Sequence, residues 1–268
     1  RVTGAWTDPQ VESIRPEPEL IFIRGRCLQC GSCADVCPQG VHSIADGQRS
    51  LARGKCLTCG RCVEACPAGA LAIKGYTISA ADIVARAERM KPFFDHSEGG
   101  ITLTGGEVTR QPDFAEAVLR GCRERGIHTA IETNGASSWE LLQRLLPHSD
   151  LILYDIKLID DAQHRRWTGA SNRLLLENAA RLKGRNTQVR IPLIPGITDT
   201  DANLRGILQF MPSAGLSSVA LLPFNPSTAP KYEWLCLPCE IEGEPQSPQR
   251  LQEMLDLARE AGVQPVLG

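Results

Sequence analysis

Two stretches, "CLQCGSCADVCP" (27–38) and "CLTCGRCVEACP" (56–67), hold eight of the chain's eleven cysteines in one spacing, C-x2-C-x2-C-x3-C-P. The first three thiols of such a run sit on a tight loop and can converge on one cubane. The fourth points away, and in two-cluster ferredoxins it ligates the other cluster. The spacing therefore predicts one [4Fe–4S] cluster on Cys27, Cys30, Cys33 and Cys66, and a second on Cys56, Cys59, Cys62 and Cys37. A pair of zinc sites is the competing expectation, since CxxC pairs also suit tetrahedral zinc. Zinc sites, however, use two pairs separated by a longer loop, and the proline-terminated repeat is far more typical of clusters. The duplication reaches beyond the cysteines, because "AGALAIKG" follows the second run as "QGVHSI" follows the first. A module this small has little room for an apolar core, so the clusters are expected to hold it together.

A second group of chemistry-bearing residues lies downstream. In "LTGGE", Gly105 and Gly106 follow an apolar run, where glycine admits a ligand close to the backbone, and Glu107 adds an acceptor for an ammonium group. In "LILYDIK" a period of two puts Leu151, Leu153, Asp155 and Lys157 on one face, ending an apolar row in two opposite charges. Those charges could simply pair. Burying an ion pair is costly without further partners, and a zwitterionic, amino-acid-like ligand would supply them. Glu132 and Thr133 occupy the equivalent place one strand earlier, and Arg190 lies one strand later. Other candidates are weaker. "CLPC" (236–239) reads as two thiols more readily than as a metal or redox pair. Cys122 reads as a packed residue. The five histidines are scattered and form no ligand pair, and "MKPFFDHSEGG" reads as packing at a helix end.

These residues need a scaffold, and the pattern from about Thr77 onward supplies one. Strands are expected over 100–107, 127–135, 150–157, 187–196 and 218–225, and helices over 78–90, 113–125, 138–146, 171–182, 201–212 and 247–261. Such alternation predicts a parallel sheet or barrel. Its ligands should gather at the C-terminal strand ends, where Gly105–Glu107, Glu132–Asn134, Asp155, Lys157 and Asn225 fall. At 268 residues and 42% hydrophobic content the chain is large enough for a proper core, and a net charge of −2 gives no cationic field for nucleic acid. No apolar run approaches the ~20 residues of a membrane span, and no basic–apolar leader is visible, so a cytoplasmic protein without membrane or nucleic-acid partners is expected. Clustered thiols fit that reducing compartment.

In order along the chain, "RPEPEL", the double cysteine module, "KPFF…GGITLTGGE", "GIHTAIETNG", "LILYDIK", "TGASNRLLLENAARL", "VRIPLIPGITD", "LLPFN" and "KYEWL" resemble the activating enzymes of glycyl radical enzymes, a branch of the radical S-adenosylmethionine superfamily. The resemblance implies an α/β fold: a partial (β/α)6 barrel with its first strand missing, carrying an inserted ferredoxin-like domain. It divides the chain into 1–19, the remnant after a cluster-binding loop; 20–76, the two-cluster insert; and 77–268, the barrel. It implies reductive cleavage of S-adenosylmethionine by a third cluster on CxxxCxxC, and hydrogen abstraction from a backbone glycine of a large partner enzyme. A flavodoxin- or ferredoxin-type protein would donate the electron, in an anaerobic cell. By position, Gly105, Gly106 and Glu107 would meet the methionine amino group. Asp155, Ile156 and Lys157 would line the cofactor's polar side, with Glu132 and Thr133 near its carboxylate and Arg190 close by. Asn225 stands where many members have histidine, and asparagine hydrogen-bonds without titrating. "AWTDPQ" stands where "xWCxNPE" is expected, so the CxxxCxxC segment is expected to be absent from this sequence and the third cluster to belong to a complete chain. Cys122, Cys236 and Cys239 have the wrong spacing to replace it. The alternative expectation is a non-catalytic two-cluster electron-transfer or partner-binding protein derived from that family.

Overall fold

The computed structural model describes residues 18–45, 48–75, 77–226, 232, 241 and 243–268. The "AWTDPQ" stretch, most of "KYEWL", Cys236 and Cys239 lie outside the described residues. The chain divides into two compact units. The described residues of one fall within Arg15–Thr77 and Pro226–Glu242, and those of the other within Ile78–Asn225 and Gly243–Gly268.

The smaller unit follows the internal repeat. Strand β1 (Glu19–Phe22) leads through a 3-10 turn (Arg24–Arg26) and the first cysteine loop into helix α1 (Ser32–Asp35) and strand β2 (His42–Ala45). The second copy repeats the order with β3 (Gln48–Leu51), a 3-10 turn (Arg53–Lys55), α2 (Arg61–Glu64) and β4 (Leu71–Lys74). Strand β1 pairs antiparallel with β4, and β2 with β3. The short core is Leu20, Phe22, Ala70 and Leu71 together with two of the cysteines themselves, Cys33 and Cys62.

The larger unit is a six-stranded parallel sheet: β5 (Gly100–Leu103), β6 (His128–Thr133), β7 (Leu151–Asp155), β8 (Thr187–Pro192), β9 (Ser218–Leu222) and β10 (Gln264–Leu267). Each strand's sequence neighbours are also its spatial neighbours. The helices that join them are α4 (Pro112–Arg123), α5 (Trp139–Leu145), α6 (Asp161–Thr168) with α7 (Arg173–Arg181), α8 (Asp201–Ser213) and α9 (Pro248–Glu260), while α3 (Ala80–Ser97) precedes β5. Alternation along the strands makes the core. Ile131, Ile152, Tyr154, Ile156, Val189, Ile191, Val219 and Leu221 are buried with helix residues such as Leu119, Leu142, Leu204 and Met254. The intervening residues, among them Glu132, Asp155 and Arg190, take the opposite face, where they are only partly buried.

The elements differ from expectation in four places. Strand β5 stops at Leu103, so Gly105, Gly106 and Glu107 belong to the turn after it. Helix α3 runs through Pro92 to Ser97 instead of ending near 90, because Phe94 still packs with Val84, Ala87, Val118 and Cys122. Helix α6, "DAQHRRWT", has almost no apolar stripe to announce it. Its signals are local: the Asp160 side chain accepts from Gln163 N, and Gly169 closes the helix at φ 77°. Strand β10 is short and contains Pro265, which demotes a strand in any sequence reading. Among the described residues no helix is long and apolar enough to cross a membrane.

Gly135, directly after β6, is held by its surroundings. Its φ is 65°, and a Cβ there would lie 1.7 Å from the Tyr154 hydroxyl oxygen. Tyr154 is fully buried and donates to the Leu175 carbonyl at 2.6 Å. Gly135→Ala is therefore expected to cost at least ~3 kcal/mol through overpacking and backbone strain, read as a lowered urea midpoint.

Candidate functional site

In the smaller unit the chain gathers the cysteines as two sets of four. Cys27, Cys30, Cys33 and Cys66 line one open hollow, and Cys37, Cys56, Cys59 and Cys62 line another. The loops that shape them repeat one backbone conformation. Gln29 and Thr58 have φ of 56° and 49°, and Gly31 and Gly60 have φ of 84° and 81°. Backbone N–H groups already aim at sulfur: Gln29 at Cys27 and Thr58 at Cys56 (both 3.4 Å), Val41 at Cys37 (3.4 Å) and Ala70 at Cys66 (3.2 Å). The Ser32 hydroxyl beside Cys30 pulls that thiol's pKa down, while burial pushes Cys33 and Cys62 up. Among the described residues no three Cys, His, Asp or Glu side chains converge closely enough to hold a single metal ion.

The strand ends of the larger unit carry a chain of charges. Arg190 Nη1 lies 2.6 Å from Glu132 Oε2, and Arg190 Nε lies 4.0 Å from Asp155 Oδ1. Lys157 Nζ donates to Asp155 Oδ2 at 3.0 Å, and the Thr104 hydroxyl donates to Glu132 Oε2 at 2.6 Å. Strand register explains the grouping, since Asp155 sits directly opposite Arg190 and Glu132 opposite Leu153. The Asp155–Lys157 pairing considered for the sequence is present, but it is incomplete. Among the described residues, buried Asp155 Oδ1 has no hydrogen-bond partner. Beside this array Gly105 and Gly106 both have left-handed backbone, φ 81° and 58°, so the turn after β5 could not be built as readily from other residues.

Three expected contacts are redirected. The Glu107 carboxylate is taken up inside the protein: Oε1 accepts from the Thr133 hydroxyl (2.7 Å) and from Thr109 Oγ1 (3.1 Å) and N (3.3 Å), and Oε2 accepts from Asn134 N (2.9 Å). Glu107 thus ties the β5 turn to the end of β6. Thr133 is turned toward Glu107 and lies on the strand face opposite Glu132, so the two cannot flank one carboxylate. The Ile156 side chain is fully buried in the helix-side core, leaving only its backbone for any ligand. Asn225, exposed, follows β9 by three residues. Thr104 and Thr109 were not singled out in the sequence; Thr104 directly follows β5, and Thr109 lies in the short 3-10 turn Val108–Arg110 beyond it.

Burial pushes the Glu107 pKa up despite the donors around it. The folded state therefore binds this proton more tightly than the unfolded chain, and that contribution to stability falls as pH rises through the folded pKa. Glu107→Gln sets an amide N–H against a protein donor. It is expected to cost ~1–3 kcal/mol at neutral pH and to flatten this part of the pH profile, measured by urea melts of both proteins between pH 4 and 8.

Two cysteine-lined hollows and a charged, glycine-edged array at the ends of parallel strands define a class. Residues 55–205 match the Radical SAM superfamily, and residues 19–71 match a 4Fe-4S dicluster domain. The choline trimethylamine-lyase activating enzyme of Oleidesulfovibrio alaskensis is 36% identical over 242 residues, 85% of this chain and 76% of that one. The trans-4-hydroxy-L-proline dehydratase activating enzyme of Clostridioides difficile is 40% identical over 220 residues, 80% of this chain and 73% of that one. A solved domain of pyruvate-formate lyase-activating enzyme from Bacteroides vulgatus is similar in structure, with a TM-score of 0.54 and 25% identity over 63% of this chain and 99% of that one. The chain belongs to the glycyl radical enzyme activating enzymes of the radical SAM superfamily, and is an oxidoreductase of that kind.

Proposed function

We propose that this protein activates a glycyl radical enzyme by binding S-adenosylmethionine at the strand ends of the larger unit, with its electrons passing through two [4Fe–4S] clusters in the smaller one. The parallel sheet is the wall of a partial barrel in this reading, and its charged face is the cofactor side. The observation that carries it is the orphaned Asp155 oxygen. A buried carboxylate oxygen without a donor is costly in an otherwise paired array, and an ammonium or hydroxyl of the cofactor would satisfy it.

The donor set fits the ligand. S-adenosylmethionine joins an ammonium, a carboxylate and a sulfonium, and the array offers two anions and two cations in one linked set of ion pairs. Asp155 and Glu132 would hold the positive groups, and Lys157 and Arg190 the carboxylate. The Gly105–Gly106 backbone would approach the amino group closely, and Ile156 would contribute its carbonyl. Glu107 and Thr133 would act indirectly, by fixing the glycine turn. Asn225 would add a neutral hydrogen bond at the rim. When bound, the cofactor supplies the organic radical that removes hydrogen from the partner's glycine. The protein's part is to orient it, keep water from its charged end and present it to the partner. In the smaller unit the two sets of four cysteines would each hold one cluster, supplied with electrons by a flavodoxin- or ferredoxin-type donor.

The test is equilibrium dialysis of anaerobically reconstituted protein against S-adenosylmethionine. Saturable binding that Asp155→Asn weakens tenfold or more is expected. No saturable binding by the wild type would sink the reading.

A further inference from the structure

The two halves of the smaller unit match residue for residue at an offset of 29, so that 19–45 overlies 48–74. Strand partners correspond as well: Ile44 faces Arg49 in one pair, and Ile73 faces Leu20 in the other. Against that symmetry two buried positions break the pattern. Arg49 stands where the other copy has Leu20, and His42 stands where it has Leu71. All four are buried. The two departures touch each other, with Arg49 Nη2 2.6 Å from His42 Nδ1. The guanidinium also lies over the Phe22 ring, 4.3 Å from its centre.

The pair spans both cysteine sites. Arg49 lines the hollow of Cys27, Cys30, Cys33 and Cys66, while its counterpart Leu20 lines the hollow of Cys37, Cys56, Cys59 and Cys62. His42 lines this second hollow. Among the described residues no carboxylate pairs with Arg49, and Arg49 Nε and His42 Nε2 are buried without a hydrogen-bond partner. A buried cation lacking a counter-ion is strongly unfavourable. An anionic iron–sulfur cluster in the adjoining hollow supplies the missing negative charge, and its sulfurs accept the orphaned N–H groups. The guanidinium, charged at any physiological pH, gives the couple its positive charge on the side of the first hollow.

We propose that the Arg49–His42 couple makes the two cluster sites unequal, so that the first electron rests on the cluster held by Cys27, Cys30, Cys33 and Cys66. This rests on the two-cluster reading above. Reduction takes one electron from a low-potential donor protein, or dithionite in the test tube, and converts [4Fe–4S]2+ to [4Fe–4S]+ with no bond made or broken. The added negative charge is stabilised by a buried guanidinium beside it, and net charge and hydrogen bonds to sulfur are the established levers on such potentials. The other cluster has Leu20 where the first has the guanidinium, and stays harder to reduce. Arg49 is thus a residue that positions the electron.

The test is a potentiometric titration of the reconstituted full chain followed by EPR, with iron analysis of each sample. Wild type is expected to take up two electrons in separated one-electron steps. Arg49→Leu, which restores the symmetry, and Arg49→Gln, which keeps a polar side chain without charge, should both lower the upper step. The expected change is at least tenfold in electron distribution, ~59 mV for one electron. Arg49→Lys should keep most of the separation. If Arg49→Leu binds less iron, the Gln and Lys variants decide between charge and packing. About eight irons per chain with titrations indifferent to the charge at position 49 would overturn this proposal alone. Wild type with no more than about four irons would overturn the two-cluster reading and this proposal with it.

Discussion

Cys33→Ser and Cys62→Ser are each expected to halve the iron of the reconstituted protein, from about eight to about four per chain, and the double variant to leave the smaller unit unfolded. The two thiols lie in different hollows, so each substitution removes one cluster and spares the other. They are also the most buried of the eight cysteines, at 8% and 7% exposure. Their burial raises both thiol pKa values, so each needs a metal to become a thiolate. Folding of the unit is coupled to the clusters because the protein core there is so small. Apart from Cys33 and Cys62, its fully buried cluster contains four residues, well short of what a domain needs without a staple. Chelation of the iron should therefore abolish the protease resistance of 18–75, while the helical circular dichroism carried by the larger unit persists. Either single variant retaining about eight irons would disprove the separate assignment of the two sets.

Arg190→Met is expected to lower stability by ~3–5 kcal/mol, the range seen when one partner of a buried ion pair is removed. The reason lies in the company Arg190 keeps. Its side chain is 16% exposed and its guanidinium stands between Glu132 and Asp155, whose side chains are 13% and 17% exposed. Without it, among the described residues, Glu132 retains only the Thr104 hydroxyl, and Asp155 only Lys157. Arg190→Lys should recover part of the loss, since an ammonium can meet Glu132 but lacks the fork that reaches toward both carboxylates. The double variant Arg190→Met/Glu132→Gln should be less destabilised than the sum of its parts, which a double-mutant cycle in urea reads directly. Additive losses would show that the close contact between Arg190 and Glu132 contributes nothing beyond each residue's own packing. The same variants are expected to lose S-adenosylmethionine binding at least tenfold.

Much of this was written in local sequence. The three-cysteine loops are decided within seven residues each, by glycines that take left-handed backbone and by the fixed spacing of thiols. The duplication then implies the exchange of the fourth cysteine between copies. The strand positions of Glu132, Asp155 and Arg190 follow from a period of two and from apolar runs long enough to register. What the sequence could not reveal depends on which strands become neighbours and which way a side chain turns at a strand end. Thr133 reads like a partner of Glu132, yet alternation sends it to Glu107. Glu107 reads like a ligand contact, yet two of its four donors, from Thr133 and Asn134, reach it only once β5 and β6 lie side by side. The Arg49–His42 couple, split between two strands, looks like a stray arginine and a stray histidine until the β2–β3 hairpin closes. Composition, spacing and periodicity are properties of the chain alone. Partnership between charges is a property of distance, and only the tertiary structure brings them within reach.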